Sequence, residues 1–386
     1  MSNNEKLTDP RIEAAIDEAL NSTEVGLQVA AYLDGELIVD TFGGIADPDT
    51  GREVDSESLF FPFSVTKGVT STALHVQAEK GLIDYDAPIV DYWPEWGQHG
   101  KEKITVRNVL THQSGVPWMP EGVTPELKAD WNWMIHGFEQ MEPAYPIGTN
   151  CYHALGWGWI IAEIVQRTDP KGRPFDQVVK EELLAPIGAT DLFFGLPPEE
   201  DHRLARIVGG EIPESTPYPL FFRGMPHEVH PSAHVFNQEI TRRTVDPGAG
   251  SITNARSMAA HWALLANKGE INGVRLLSAE RVEAFLTPRP NNDVIDEYLG
   301  MKVPVSAYGY YLSDDTPGMI PIITPHSDTI WMPGAGSSVG WAEINTGLAV
   351  AITHNNMQMG PPPSYVTIAK AVRDVAAEKK NTVAAV

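Results

Sequence analysis

Cysteine is almost absent: Cys151 is the only one in 386 residues. That excludes a disulfide framework and a thiolate metal site. Long apolar runs are missing too, and no stretch approaches the roughly 20 consecutive apolar residues of a membrane-crossing helix. The opening MSNNEKLTDPRIEAAIDEAL is polar and acidic, without the basic flank and apolar segment of a secretory signal. Basic side chains are outnumbered, with 28 Lys and Arg against 51 Asp and Glu and a formal net charge of −23. A field of that sign repels phosphate backbones and anionic lipid, so neither nucleic acid nor membrane is an expected partner. These absences predict a soluble, cytoplasmic protein.

What is present is a large apolar fraction, 42% of residues, enough for one large domain or two interlocked ones. Residues 10–20 place Ile12, Ala15, Ile16 and Leu20 on one helical face. GLQVAAYLDGELIVDTFGG, residues 26–44, predicts two strands joined at Asp34-Gly35. From Val65 to Lys80 apolar positions recur at Val65, Val69, Ala73 and Val76, with Gly81 placed to stop a helix. Residues 152–168 and 255–269 carry the clearest helical patterns of the middle region, where long Pro- and Gly-rich loops intervene. Strand patterns return at 338–345 and 347–355, and a last amphipathic helix spans about 364–379. Strands at both ends with helices between predict an α/β domain from residues 1–80 and 290–386, interrupted by a mainly helical subdomain, 81–289.

Ser64 and Lys67, in FSVTKG, form the only Ser-x-x-Lys of the chain. Two readings stand. Serine is a preferred helix N-cap, and a helix begins nearby. Alternatively, positions i and i+3 share a helix face, so Lys67 reaches the Ser64 hydroxyl. Desolvation would favour a neutral amine able to take its proton, and free backbone N–H groups at a helix start stabilise an oxyanion.

Three further blocks bear on the choice. ITVRNVLTHQSGVP (104–117), PIGTNCYHALGWGWIIAEIVQRT (146–168) and WMPGAGSSVGWAEI (331–344) stand in that order after Ser64. Together they resemble the conserved segments of the serine β-lactamase and penicillin-binding-protein superfamily, over most of residues 25–355. The resemblance implies a β-lactamase/transpeptidase-like α/β (α+β) fold, an antiparallel sheet flanked by helices plus a helical subdomain. It makes Ser64 the nucleophile, Lys67 and Tyr152 the acid/base pair, and the Ser64 and Ala335 N–H groups the oxyanion hole. Met332, Gly334, His153 and Trp118 are then expected around the substrate.

Two departures shape the expected chemistry. Class C β-lactamases carry asparagine where this chain has Ala154, and lysine where it has Met332. Those groups orient a β-lactam's amide and carboxylate, and without them charge-assisted hydrogen bonds to an anionic substrate are lost. Tyr152-His153-Ala154 and Pro333-Gly334-Ala335-Gly336 instead resemble family VIII carboxylesterases. The expected activity is hydrolysis of a small-molecule carboxylic ester through a Ser64 acyl-enzyme, with no metal or organic cofactor. An acyltransferase, or an amidase or β-lactamase, would use the same acyl-enzyme; a non-catalytic binding module is the remaining alternative.

Several motifs compete with this reading. Gly336-Ser337-Ser338-Val339-Gly340 matches Gly-x-Ser-x-Gly, but Ser338 opens a strand pattern rather than a strand-to-helix turn. His227, His230 and His234 have a spacing that suggests zinc, yet Pro231 interrupts any helix aligning them. His112 and Ser114 are expected to fix a turn ahead of a loop beside the site. Trp118, Trp131, Trp133, Phe221 and Phe222 are placed in loops, either walling a pocket or filling the core.

Overall fold

The structure, a computed structural model, describes residues 5–212, 220–313, 328–358, 360 and 362–384. Strands β1 (Gly26–Leu33), β2 (Glu36–Asp47) and β3 (Arg52–Glu53) come from the start of the chain. Strands β4 (Tyr311–Leu312), β5 (Thr329–Pro333), β6 (Val339–Glu343) and β7 (Leu348–His354) come from its end. They join in one antiparallel sheet of order β3-β2-β1-β7-β6-β5-β4. The β1–β2 turn lies at Asp34 and Gly35, whose φ values of 50° and 84° are the paired left-handed conformation an Asp-Gly hairpin requires.

Six helices frame this sheet and the site: α1 (Pro10–Ser22), α2 (Thr66–Glu79), α3 (Trp131–Gln140), α4 (Gly156–Thr168), α5 (Ala255–Ala266) and α6 (Ser364–Ala384). Register decides which face each covers. Thr41 pairs with Val29, and Thr41 Oγ1 donates to Glu13 of α1 at 2.5 Å, so α1 lies on that face, with α6 packed against it. The next row alternates to the other side. There Asp40, Ala30, Ala351 and Gly340 align across four strands, and Arg256 of α5 reaches Asp40 at 2.8 Å.

Small side chains in that row let α5 settle close to the sheet. A Cβ on Gly340 would fall 1.9 Å from Nε1 of the buried Trp262. Gly340→Ala should therefore lower stability by about 1–3 kcal/mol through overpacking, read from urea denaturation. An unchanged midpoint would show that Trp262 is free to move.

α5 belongs to the stretch that the sequence pattern assigns to the helical subdomain. It falls within 81–289 but packs on β1, β6 and β7 as part of the sheet layer. Its pattern announces a helix, whereas its partners are set by register far away in the chain. α2 is the central helix and is buried from Thr66 to Ala78. Its polar groups are mostly bonded: Thr70 Oγ1 to Pro247 O at 2.7 Å, Thr72 Oγ1 to His261 and Tyr310 at 2.8 Å each. Trp131 and Trp133 lie on α3, not in a loop, and Trp131 Nε1 donates to Glu163 of α4 at 2.8 Å. Phe221 and Phe222 open a one-turn helix, Phe221–Gly224.

Candidate active site

The aromatic run before Ser64 anchors a strained turn. Phe63 has φ 50°, a left-handed value that costs a bulky residue free energy unless its surroundings hold it there. Phe63 packs on Phe61 and Phe236, with ring centroids 6.3 and 4.9 Å away. The turn continues as a short 3₁₀ segment, Phe63–Val65, leading directly into α2. Ser64 is thus not the N-cap of α2. That position is Val65, without a side-chain cap, and Ser64 Oγ instead accepts from Lys67 Nζ at 2.9 Å.

Lys67 is fully buried. Its other two hydrogen bonds go to main-chain carbonyls, Ala154 O at 2.8 Å and Gly248 O at 2.9 Å. Among the described residues no carboxylate pairs with it. Two of its N–H groups are held by carbonyls, and the third position faces the serine hydroxyl. Such an arrangement can take a proton from Ser64.

Tyr152 lies just ahead of α4, half-buried, with its ring centroid 5.5 Å from Lys67 Nζ. Among the described residues its hydroxyl bonds neither Ser64 nor Lys67. The backbone there is held by Asp296, whose Oδ1 accepts from the N–H groups of Tyr152, Tyr298 and Leu299, each at 3.0 Å. Burial pushes the Asp296 carboxyl up, and these three donors oppose that shift.

Gly334 brings the second turn to the nucleophile. A Cβ there would fall 2.1 Å from Pro62 O, so any side chain would push the two segments apart. Ala335 opens a short helical turn, Ala335–Ser337. Neither the Ser64 nor the Ala335 N–H donates to an acceptor among the described residues. Free backbone donors on adjoining turns are the kind of group that can stabilise an oxyanion.

The family model described as Beta-lactamase matches residues 12–376. The chain belongs to the β-lactamase family. It is 29% identical over 382 residues to the esterase/beta-lactamase LipL of Mycobacterium tuberculosis, spanning 92% of this chain and 84% of that one. Esterase EstB of Burkholderia gladioli is 27% identical over 201 residues, 48% of this chain and 51% of its own. A family VIII carboxylesterase superimposes with a TM-score of 0.86 at 28% identity, covering 96% of this chain and 99% of the other. A penicillin-binding-protein homologue from Caulobacter crescentus gives 0.85 at 25%, covering 96% and 98%. The fold is β-lactamase/transpeptidase-like, and the protein is a serine hydrolase of this superfamily.

The structure gives three of the residues expected around the substrate of this β-lactamase-family site packing or spacing roles. His153 is fully buried: Nδ1 donates to Cys151 O at 2.6 Å, and Nε2 accepts from Ser114 Oγ at 2.6 Å. It fastens the Ser114 turn, where the same oxygen accepts from Val116 N, and has no nitrogen left for a ligand. Met332 is 2% exposed within the main core, and Gly334 acts as the spacer between two turns. Trp118 does lie near Tyr152, in a cluster with Ala154, Tyr145, Tyr298 and Phe221. Ser338 begins the approach to β6, buried, with no partner for its Oγ among the described residues. His227 stacks on Phe222 at 3.9 Å and His230 Nδ1 donates to Pro231 O; no metal-binding cluster forms among the described residues. No described helix is long and apolar enough to cross a membrane.

Burial keeps several histidines neutral. His153 is pushed down to about 4 and His75 to about 3, and His112 lies well below its ordinary value. An unfolded histidine titrates near 6.5, so the unfolded chain takes up protons that these rings refuse. Their contribution is complete above about pH 6.5 and is lost as pH falls toward the folded values. His75→Gln, which cannot titrate, isolates one ring. The stability gap between parent and variant should shift against the parent by about 1.4 kcal/mol per pH unit between pH 6 and 4. A gap independent of pH in urea titrations would show that His75 protonates without cost.

Proposed function

We propose that the protein is a serine carboxylesterase working through a Ser64 acyl-enzyme, with Lys67 and Tyr152 moving the proton. The observation that carries this is the Lys67 Nζ to Ser64 Oγ bond of 2.9 Å, with the remaining amine hydrogens held by two carbonyls. Ser64 Oγ adds to the ester carbonyl carbon while its proton passes to Lys67, and the N–H groups of Ser64 and Ala335 receive the oxyanion. Collapse breaks the bond to the alcohol oxygen, and Tyr152, beside Lys67, returns the proton to that oxygen. Water enters by the same route in reverse and releases the acid.

The substrate class follows from what the site lacks. Ala154 contributes only a buried methyl and a carbonyl already used by Lys67, and Met332 is buried in the core. Neither offers a polar anchor to a β-lactam's amide or carboxylate. Each lost charge-assisted hydrogen bond is worth about 1.5–3 kcal/mol, so two lower turnover by a few orders of magnitude. Short-chain p-nitrophenyl esters should be cleaved well and nitrocefin poorly. Comparable turnover of nitrocefin and p-nitrophenyl butyrate would overturn the ester reading while leaving the acyl-enzyme intact.

A further inference from the structure

Resting on the reading that Lys67 acts on Ser64, we propose that Asp246, its buried charge balanced by Lys128, positions through its acceptor oxygen the loop that aims Lys67. Lys128 Nζ lies 2.6 Å from Asp246 Oδ2, and the two side chains are 4% and 2% exposed. The other carboxylate oxygen, Oδ1, accepts from Gly248 N at 2.9 Å and Ala249 N at 3.1 Å. Asp246 O closes the turn by accepting from Gly250 N. This folds residues 246–250 so that two successive carbonyls face α2. Pro247 O takes Thr70 Oγ1 at 2.7 Å, and Gly248 O takes Lys67 Nζ at 2.9 Å.

The loop has no slack on its far side. A Cβ on Gly158 of α4 would fall 2.2 Å from Gly248 N, and one on Gly248 would fall 2.6 Å from Leu155 O. Gly248 O is therefore clamped between α4 and the Asp246 carboxylate. A buried ion pair is weak evidence for stability, because desolvation offsets much of its attraction. Here the carboxylate has a second task, holding two backbone N–H groups in one orientation. Lys128 supplies the compensating charge that lets that carboxylate stay buried. Asp246 never touches the reacting atoms. It is a positioning residue acting through Gly248 O, and Lys128 acts through Asp246.

Two uncharged double variants separate aim from stability. K128M/D246N removes both charges but keeps an amide oxygen able to accept from Gly248 and Ala249. K128M/D246A removes that acceptor as well. Misplacement by about 1 Å costs about 100-fold in rate. K128M/D246A should accordingly lose about 10- to 100-fold in kcat for p-nitrophenyl butyrate, with KM little changed. Fluorophosphonate labelling of Ser64 should slow in parallel, while K128M/D246N stays within a few-fold of the parent. Equal kcat in the two doubles, or losses that follow Tm alone, would overturn the proposal. D246E, which keeps the pair but lengthens the acid, is the arm to read if a double variant does not fold. It should lose kcat in the same way, and parent-like kcat would overturn the proposal. A parent enzyme that fluorophosphonate does not label at Ser64 points instead to failure of the acyl-enzyme reading.

Discussion

Ser64→Ala is expected to lower kcat for p-nitrophenyl butyrate by about 10⁴–10⁶-fold, the scale seen when a serine nucleophile is removed from a proton-relay site. Among the described residues the competing serines are otherwise placed. Ser338 is buried with no partner for its Oγ among the described residues, and Ser114 is committed to His153 and the Val116 N–H. The loss should come without unfolding, because alanine keeps the turn at Phe63 and removes one hydrogen bond, worth about 0.5–1.5 kcal/mol. A fluorophosphonate adduct on the parent should map to the peptide containing Phe63-Ser64 and vanish in the variant. An adduct persisting on Ser338, with activity retained, would transfer the nucleophile to a different element and overturn the site.

The second large effect separates the two proton carriers. Tyr152→Phe keeps the ring and its packing beside His112, 4.7 Å between centroids, while removing the hydroxyl. General acid–base catalysis contributes about 10²–10⁴-fold, and kcat should fall by that amount with little change in stability. Lys67→Met should be at least as damaging, since Lys67 already bonds Ser64 in the free enzyme and Tyr152 does not. It should also destabilise, because Ala154 O and Gly248 O each lose a buried donor, at a cost of about 1–3 kcal/mol apiece. The double variant should be far less than multiplicatively worse, because both groups serve one proton. Tyr152→Phe activity within a few-fold of the parent would make Lys67 the sole base and leave Tyr152 a packing residue.

Local signals alone were enough for several elements, and they offered the Ser64–Lys67 contact as one of two readings. The Asp34-Gly35 hairpin, α1, α2 and the β6–β7 pair follow from turn chemistry and periodicity, which depend on residues within a few positions of one another. The Ser64–Lys67 spacing brings the two side chains within reach, since positions i and i+3 are neighbours on a helical turn. Tertiary structure decided whatever depends on distant chain segments meeting. Ser64 reads as an N-cap until Phe61, Phe236 and Gly334 are seen to hold the Phe63 turn in its left-handed form. His153, Met332 and Gly334 carry polar or motif signals along the chain, but only packing shows that the first two are buried and the third is a spacer. Asp296 and Asp246, which orient Tyr152 and Lys67, stand 144 and 179 positions from them (296 − 152; 246 − 67) and belong to no pattern. Their roles are hydrogen bonds to backbone N–H groups, which any acidic residue makes once the chain closes around it. Periodicity records which face of an element is buried, and it holds no record of what that face will meet.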